Sequence, residues 1–188
     1  MQKGFTLIEL LVVIAILAVL ATAVVLVLNP AELIRQGRDS TRISDMGALN
    51  SAIALFLADV TNPVWAATTR CTSGIETVVG AACVTNALTN VTGTGWINLD
   101  FSLISSGSPL ARLPLDPVNN SAATACAGVV DGCYYGYRSS ATVGRYKLFT
   151  NMESGKYSAP AGASEVESAS KDGGTVADWY ELGSDMSL

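Results

Sequence analysis

Glu9 has the most unusual chemical setting in this sequence, because it lies inside a long apolar run, Phe5 to Leu28, of 24 residues. An ionised carboxylate within a membrane-length helix costs on the order of 2–3 kcal/mol and therefore requires a cationic partner. A chain cut after Gly4 would supply one. The new α-ammonium group of Phe5 would lie four residues before Glu9, at the positive end of a helix dipole.

Cysteines form the second group of reactive side chains, and all of them follow the apolar run: Cys71, Cys83, Cys126 and Cys133. An even number beyond a membrane-length segment indicates disulfides made in an oxidising compartment. Three pairings are possible, and we prefer Cys71–Cys83 with Cys126–Cys133 because both close short loops. Zinc held by four thiolates is the alternative, but no two cysteines have the C-x-x-C spacing that is typical of zinc sites.

The composition excludes several kinds of catalysis. The sequence has no histidine, so histidine cannot serve as a general base or a metal ligand. No phosphate-binding or nucleotide fingerprint occurs. We predict that the protein is not an enzyme. Its net charge of −5 also makes nucleic acid an unfavourable partner, although Arg138, Arg145 and Lys147 could form a local basic patch.

Two interpretations of the apolar run compete. Phe5–Leu28 is long enough to cross a bilayer, which takes about 20 apolar residues. A secretory signal peptide is the alternative, with Lys3 before an apolar Leu10–Leu20 and an A-x-A site at Ala21–Ala23. The apolar residues continue through Val24–Leu28, past the point where a signal peptide becomes polar. This continuation favours the membrane helix.

The first residues resemble a known family. The run Gln2-Lys3-Gly4-Phe5-Thr6-Leu7-Ile8-Glu9-Leu10-Leu11 is similar to the N-terminus of type IV prepilins and type II secretion pseudopilins. In that family a membrane peptidase cuts after the glycine and methylates the new N-terminal phenylalanine. The resemblance therefore implies cleavage and methylation at Gly4 and Phe5, and a role for Glu9 in the registry of assembling subunits.

A second helix is predicted after the apolar run. Asn29-Pro30 either kinks one long helix or starts a new one as N-cap and first residue. Many members of the family carry glycine and proline inside the apolar helix, so here a locally melted region is expected at Asn29-Pro30 or Gly37. The helix should end near Asp59, before Asn62-Pro63. Ile43, Met46, Ile53 and Leu57 lie near one apolar stripe of this helix, with Leu49 and Phe56 beside it.

Three arginines, Arg35, Arg38 and Arg42, form another stripe of this helix. They are interpreted either as a solvated basic face or as a contact surface for lipid headgroups or an acidic neighbouring subunit.

A head of irregular segments and short strands should follow. Residues 61–95 are predicted to be irregular, and the alternation from Ile97 to Leu103 predicts a half-buried strand. Tyr134–Tyr137 and Tyr146–Met152 are expected to pair as antiparallel strands, with a final short strand at Trp179–Leu182. The predicted class is α+β, with a long N-terminal helix packed on a small antiparallel sheet.

The loop Leu113-Pro114-Leu115-Asp116-Pro117-Val118-Asn119 resembles the Pro-x-Asp-Pro loop of major pseudopilins. Its two prolines fix the backbone, and Asp116 can bind main-chain amides of the turn. This structural role of Pro114, Asp116 and Pro117 is our main interpretation. A calcium site is the alternative implied by the family, with oxygen ligands available in several residues without any fixed spacing: Asp116, Asn119, Asp131, Asp172, Asp178 and Asp185. Otherwise no cofactor is expected.

These observations predict a chain in four parts: a leader (1–4), a transmembrane and filament-core helix (5–28), a continuing amphipathic helix (29–60) and a globular head (61–188) with a flexible Ser/Gly-rich segment (154–174). We interpret the chain as the major subunit of a type IV pilus-like filament, with a secretion pseudopilin or a DNA-binding minor pilin as alternatives. The implied partners are identical subunits, prepilin peptidase, the inner-membrane assembly machinery and membrane lipid. The precursor is expected in the cytoplasmic membrane and the filament at the cell surface.

Overall fold

The structure, a computed structural model, describes residues 4–73, 77–78, 81–119, 132–158, 172–174, 176 and 179–188. Two consecutive helices, α1 (Leu7–Leu28) and α2 (Pro30–Asp59), lead into a head built on a five-stranded sheet. The predicted α+β class with a long N-terminal helix is confirmed.

Helix α1 is apolar around its whole circumference. Its stretch Leu7–Val25 has a mean hydropathy of 2.9, and none of it is buried against the rest of the chain. At about 1.5 Å per residue the 22 residues of α1 extend roughly 33 Å, so by length and composition the helix is able to span a membrane.

A single residue separates the two helices. Asn29 adopts the left-handed conformation, with φ 40° and ψ 72°, and Pro30 is the first residue of α2. The carbonyl oxygen of Asn29 accepts hydrogen bonds from the amides of Glu32 and Leu33 at 3.0 and 3.3 Å. Of the two predicted possibilities, the structure has the new helix start, although the Asn29 side chain makes no capping hydrogen bond.

Helix α2 has one buried apolar stripe, which packs on the head. Met46 and Ile53 of the predicted stripe and the neighbouring Leu49 and Phe56 are fully buried or nearly so. Ile43 and Leu57, the other two residues of the predicted stripe, are half-buried. The four buried residues join head residues in one core: Trp96, Ile97, Leu99, Phe101, Ile104, Leu113, Tyr135, Tyr137, Tyr146 and Leu148. The helix ends at Asp59, as predicted.

Seven strands form the two sheets of the head: β1 (Thr68–Cys71), β2 (Thr77–Val78), β3 (Ala81–Ala82), β4 (Val84–Thr85), β5 (Tyr135–Ser139), β6 (Tyr146–Asn151) and β7 (Trp179–Gly183). The main sheet has the order β4-β1-β5-β6-β7, and β2 pairs with β3. Only the β1–β4 pairing is parallel among these described strands. The predicted pairing of the two tyrosine-rich strands and the final short strand are confirmed.

The predicted strand from Ile97 to Leu103 is wrong. This segment contains an isolated bridge between Thr92 and Asp100 and a 3₁₀ turn at Phe101–Leu103. Asp100 starts the turn because its carboxylate accepts a hydrogen bond from the Ser102 amide at 3.0 Å. The alternation reflects burial of Ile97, Leu99 and Phe101 in the core without a strand partner for their backbone.

The expectation that residues 61–95 are irregular is also wrong, since β1 to β4 lie there. These strands have two to four residues each, which is too short for a periodic signal to stand out from Thr- and Ala-rich sequence.

Candidate functional site

The N-terminal end of α1 carries a reciprocal cap that involves Glu9. The Thr6 amide and the Thr6 hydroxyl both donate to Oε2 of Glu9, at 2.8 and 2.7 Å, and the Glu9 amide donates to Oγ1 of Thr6 at 3.4 Å. This capping box satisfies backbone N–H groups that the first helical turn otherwise leaves unpaired. It also holds the Glu9 carboxylate beside the start of the helix, where the helix dipole favours a negative charge.

The Gly4–Phe5 bond lies just before this cap. Residues 4–6 are not helical, and Gly4 and Phe5 are exposed, the Phe5 side chain at 87% of its full area. Peptide bonds in extended, exposed segments are the ones that a peptidase can bind. Lys3 lies outside the described residues.

A buried ionic cluster joins α2 to the head, and Arg42 is at its centre. The Arg42 guanidinium is fully buried and donates to three carboxylates from three parts of the chain. Its Nε and Nη2 bind the two oxygens of Asp116 at 2.6 and 2.9 Å. Nη1 binds Oδ1 of Asp39 at 2.7 Å, and Nη2 binds Oε1 of Glu153 at 2.5 Å. We call these four residues the Arg42 cluster.

The segment after β6 is fastened to α2 by the same cluster. The Asp39 carboxylate accepts hydrogen bonds from the amides of Glu153 and Ser154 and from the Ser154 hydroxyl, at 2.6 to 3.2 Å. Arg38 adds three further hydrogen bonds to Glu153. Ser154 is completely buried, so the prediction that the flexible segment 154–174 begins there is wrong, because the side chain and amide of Ser154 are bound to α2. Residues 159–171 lie outside the described residues.

The two interpretations of the arginine stripe are wrong for Arg42, which is neither solvated nor available to a lipid or a neighbour. Arg38 is about one-third exposed and paired with Glu153, and Arg35 lies 3.9 Å from Glu32 on the surface. The sequence held one signal for the cluster: Asp39 and Arg42 have the i, i+3 spacing of a helix pair.

Hydrogen bonds, neighbouring charges and burial shift the pKa values of several groups in and near the cluster. Burial alone would lower the pKa of Arg42, but the hydrogen bonds and charges of Asp116 and Glu153 raise it above its ordinary value. The hydrogen bond from Arg38 to Glu153 likewise raises the pKa of Arg38. Asp45, one turn further along α2, has a raised pKa because it is partly buried, even though the Tyr135 hydroxyl donates to it at 2.7 Å.

The Pro-x-Asp-Pro loop is part of this junction. Oδ1 of Asp116 accepts the amides of Val118 and Asn119 at 2.8 and 3.0 Å, which is the main-chain bonding that the sequence suggested. The carbonyl oxygen of Pro114 accepts the indole N–H of the fully buried Trp96 at 3.0 Å. The loop therefore fixes one side of the core as well as the Arg42 guanidinium.

Of the other proposed calcium ligands, Asn119 lies beside Asp116 through its backbone amide, but Asp172 and Asp185 are bound to other parts of the head. Asp172 binds the amides of Gly174 and Glu181 at 2.7 and 2.5 Å, and Asp185 pairs with Arg145. Asp131 and Asp178 lie outside the described residues. Within the ranges that the structure describes, no three Asp, Glu, Cys or His residues are placed to hold a metal ion.

The cysteines follow the preferred pairing as far as the structure describes them. Cys71 and Cys83 form a disulfide with 5.8 Å between their Cα atoms, which ties β1 to the segment before β4. Cys133 is also disulfide-bonded. Cys126 lies outside the described residues, so its pairing with Cys133 stays a prediction.

The suggested basic patch for DNA is wrong. Lys147 is completely buried and lies 2.7 Å from Oε1 of Glu181, while Arg145 is paired with Asp185 at the surface. Two of the three cations, the other being Arg138, are therefore already neutralised within the head and do not attract a phosphate backbone.

Comparison with known proteins gives one match, at the N-terminus. Residues 1–25 match the prokaryotic N-terminal methylation motif, which confirms the resemblance to the N-termini of type IV pilins and pseudopilins. The match covers the capping box and most of α1 and does not extend into the head. No curated protein and no solved structure matches the chain. The motif supports a membrane-anchored precursor and points to a structural subunit, not an enzyme.

Proposed function

We propose that this chain is the major structural subunit of a type IV pilus-like filament, in which α1 packs against α1 of neighbouring copies. The observation that carries the proposal is the combination of the methylation motif at residues 1–25 with a helix that is apolar on every face and unburied. A helix of this kind is stable in lipid or in a bundle of like helices.

The energetics of α1 favour polymerisation over a free monomer. Its large apolar side chains are about half to four-fifths exposed, and each contributes on the order of 1.5–3 kcal/mol when it is buried fully. A subunit can therefore leave the bilayer only if contacts with other subunits replace lipid. A head-to-tail contact whose repetition does not close into a ring gives an open helical filament.

Processing comes first in this proposal. Prepilin peptidase would cut the exposed bond between Gly4 and Phe5 and methylate Phe5. The cut removes residues 1–4 and leaves a positive charge immediately before the capping box of α1. The precursor would stay in the cytoplasmic membrane until the assembly machinery moves it into the filament.

Glu9 would then set the register between subunits. Thr6 holds the carboxylate through Oε2, so the charge is already oriented at the start of the helix. Within a bundle of apolar helices the effective dielectric constant is low, and a carboxylate that meets the Phe5 ammonium of a neighbour is strongly favoured over an unpaired one. A subunit that is displaced along the axis would bury Glu9 without a partner.

A secretion pseudopilus is the second candidate, because the Pro-x-Asp-Pro loop is similar to that of major pseudopilins and Asp116 is bound within the head. The two functions share processing, anchoring and polymerisation. They differ in whether filaments extend beyond the cell surface, which electron microscopy of cells with immunogold labelling of the head distinguishes.

Replacement of Glu9 tests the assembly role. We expect Glu9→Ala and Glu9→Gln subunits to be made, inserted and cut normally, but to yield about tenfold fewer filaments or less, which corresponds to a loss of about 1.4 kcal/mol or more per subunit addition. The measurement is the amount of subunit in the sheared filament fraction, divided by the amount of processed subunit in the membrane.

Thr22→Ala is the matched control, because the Thr22 hydroxyl is bonded to its own helix at Ala18 and has no charge to pair. It should polymerise like the wild type. Wild-type filament yield and length for both Glu9 variants would show that the carboxylate has no role in assembly.

A further inference from the structure

The resemblance to pseudopilins suggested that Asp116 binds calcium, but the geometry around Asp116 does not fit a calcium site. Both carboxylate oxygens are already used: Oδ2 by Nε of Arg42, and Oδ1 by Nη2 of Arg42 and two backbone amides. A calcium ion needs six to eight oxygen ligands at about 2.3–2.6 Å. The space facing Asp116 is instead filled by the charged Arg42 guanidinium and two backbone amides.

The Arg42 cluster nevertheless has the composition of a cation site. Asp39, Asp116 and Glu153 come from α2, from the Pro-x-Asp-Pro loop and from the segment after β6, and none is more than 4% exposed. Three buried carboxylates repel one another and lose their hydration, so their convergence is unfavourable without a cation among them. Four of their oxygens accept hydrogen bonds from Arg42.

We propose that the Arg42 guanidinium is the resident cation of this site and stands where a divalent metal ion would otherwise be needed. The site formed by Asp39, Asp116 and Glu153 is then independent of calcium. The proposal concerns the isolated subunit and does not depend on filament assembly.

Removal of Arg42 would leave the site with an unbalanced negative charge. Without Arg42, the three carboxylates and the neighbouring Arg38, which binds Glu153, carry a net charge of −2. Truncation to alanine also opens a space lined by carboxylate oxygens in place of the guanidinium. A site with that charge and with hard oxygen ligands selects a divalent cation of calcium's size and flexible coordination. Arg42→Ala should therefore turn a calcium-independent head into one that calcium stabilises.

The experiment compares the thermal melting of full-length wild type and Arg42→Ala in detergent micelles, followed by tryptophan fluorescence. Each is measured with a chelator, with calcium at about 1 mM, which is the range of extracellular calcium modules, and with magnesium at the same concentration. We expect wild-type Tm to be the same in all three solutions. We expect Arg42→Ala to melt well below the wild type in chelator and to regain several degrees with calcium, and less with magnesium.

Two outcomes would overturn the proposal: a calcium-induced rise in wild-type Tm that Asp116→Asn abolishes, or an Arg42→Ala protein that is folded and gains nothing from calcium. If Arg42→Ala does not fold in any of the solutions, Asp116→Asn in the otherwise unchanged chain decides. Under the proposal its loss of Tm is equal in chelator and in calcium, whereas a calcium ligand at Asp116 would make the loss appear only in calcium. Asp59→Asn is the matched control, since Asp59 is an α2 carboxylate that binds Ser105 outside the cluster.

Discussion

Buried charges in the head are held in place by several partners at once, and Lys147 and Glu181 show this at the level of single residues. Both are completely buried on adjacent strands, 2.7 Å apart, and Oε2 of Glu181 also accepts the Val176 amide at 3.0 Å. A methyl group on Gly174 would lie 2.0 Å from that same oxygen. Glycine at this position therefore leaves room for the carboxylate, and the ion pair links β6 to β7.

Asp45 gives the clearest dependence of stability on pH. Partial burial raises its pKa above the ordinary value of 3.8, so the folded chain holds this proton more tightly than the unfolded chain. The stability that Asp45 contributes is present in acid and is lost as the pH rises through its folded pKa. We expect Asp45→Asn, whose carbonyl oxygen can still accept the Tyr135 hydroxyl, to be more stable than the wild type near neutral pH and to lose this advantage toward acid.

Urea unfolding of the wild type and Asp45→Asn from acid to neutral pH measures the effect. Asp59→Asn is the control, and its change in stability near neutral pH should have the opposite sign. Hydrogen bonds from Ser105 lower the pKa of Asp59, so the ionised form stabilises the fold above its ordinary pKa and this contribution is lost as the pH falls. Asp59→Asn should therefore be less stable than the wild type near neutral pH. A constant difference between Asp45→Asn and the wild type at every pH would exclude the assigned titration.

The importance of a single residue was predictable from the sequence where its neighbours in the chain made it stand out. Glu9 is conspicuous because it is charged in an apolar run, and Asp116 because two prolines flank it. The burial of Arg42 was not predictable, since it depends on two carboxylates that are 74 and 111 positions away in the sequence. Those contacts exist only after the loop and β6 have packed on α2.

Two glycines, Gly136 in β5 and Gly47 in α2, differ in the space that is available for a side chain. A Cβ atom at Gly136 in β5 would lie 2.0 Å from the Phe149 ring. That ring is stacked on Trp179 with 4.8 Å between the ring centres, so it has little freedom to move away. At Gly47 in α2 an added Cβ meets nothing within 4 Å.

We therefore expect Gly136→Ala to lower the free energy of unfolding by about 1–3 kcal/mol through overpacking. Gly47→Ala should raise it by about 0.5–1 kcal/mol, because glycine in a helix interior costs backbone entropy. Denaturant melts of the two variants and the wild type provide the measurement. Equal effects of the same sign would contradict the packing described for β5.

Prediction of the elements succeeded where neighbouring residues carried a strong pattern. Such patterns are the uninterrupted apolar run of α1, the apolar stripe of α2 and the aromatic residues of β5 and β6. Prediction failed at Ile97–Leu103, where alternating burial arises from packing against α2, and at β1, whose four residues pair with β5 across a long sequence separation.

At the scale of the whole molecule, the head is fastened to α2 almost up to the helix break. The amide of Gly155 donates to Oε1 of Glu32 at 2.7 Å, two residues after Pro30, and the Arg42 cluster follows three turns later. Helix α1 makes no comparable contact in the described part of the chain, and its span Leu7–Val25 is unburied. The molecule thus consists of a head bound tightly to α2 and an apolar helix α1, whose surface is stable only in lipid or against other copies of the chain.

The mass of the first peptide of the mature protein, recovered from the membrane and the sheared filament fractions, tests this description most directly. If α1 is retained as the polymerising helix, that peptide begins at Phe5 and carries one methyl group on its α-amino nitrogen in both fractions. A mature chain that begins at Val24 would have lost the first three-quarters of α1 to a signal peptidase, and a filament built on this helix would then be impossible.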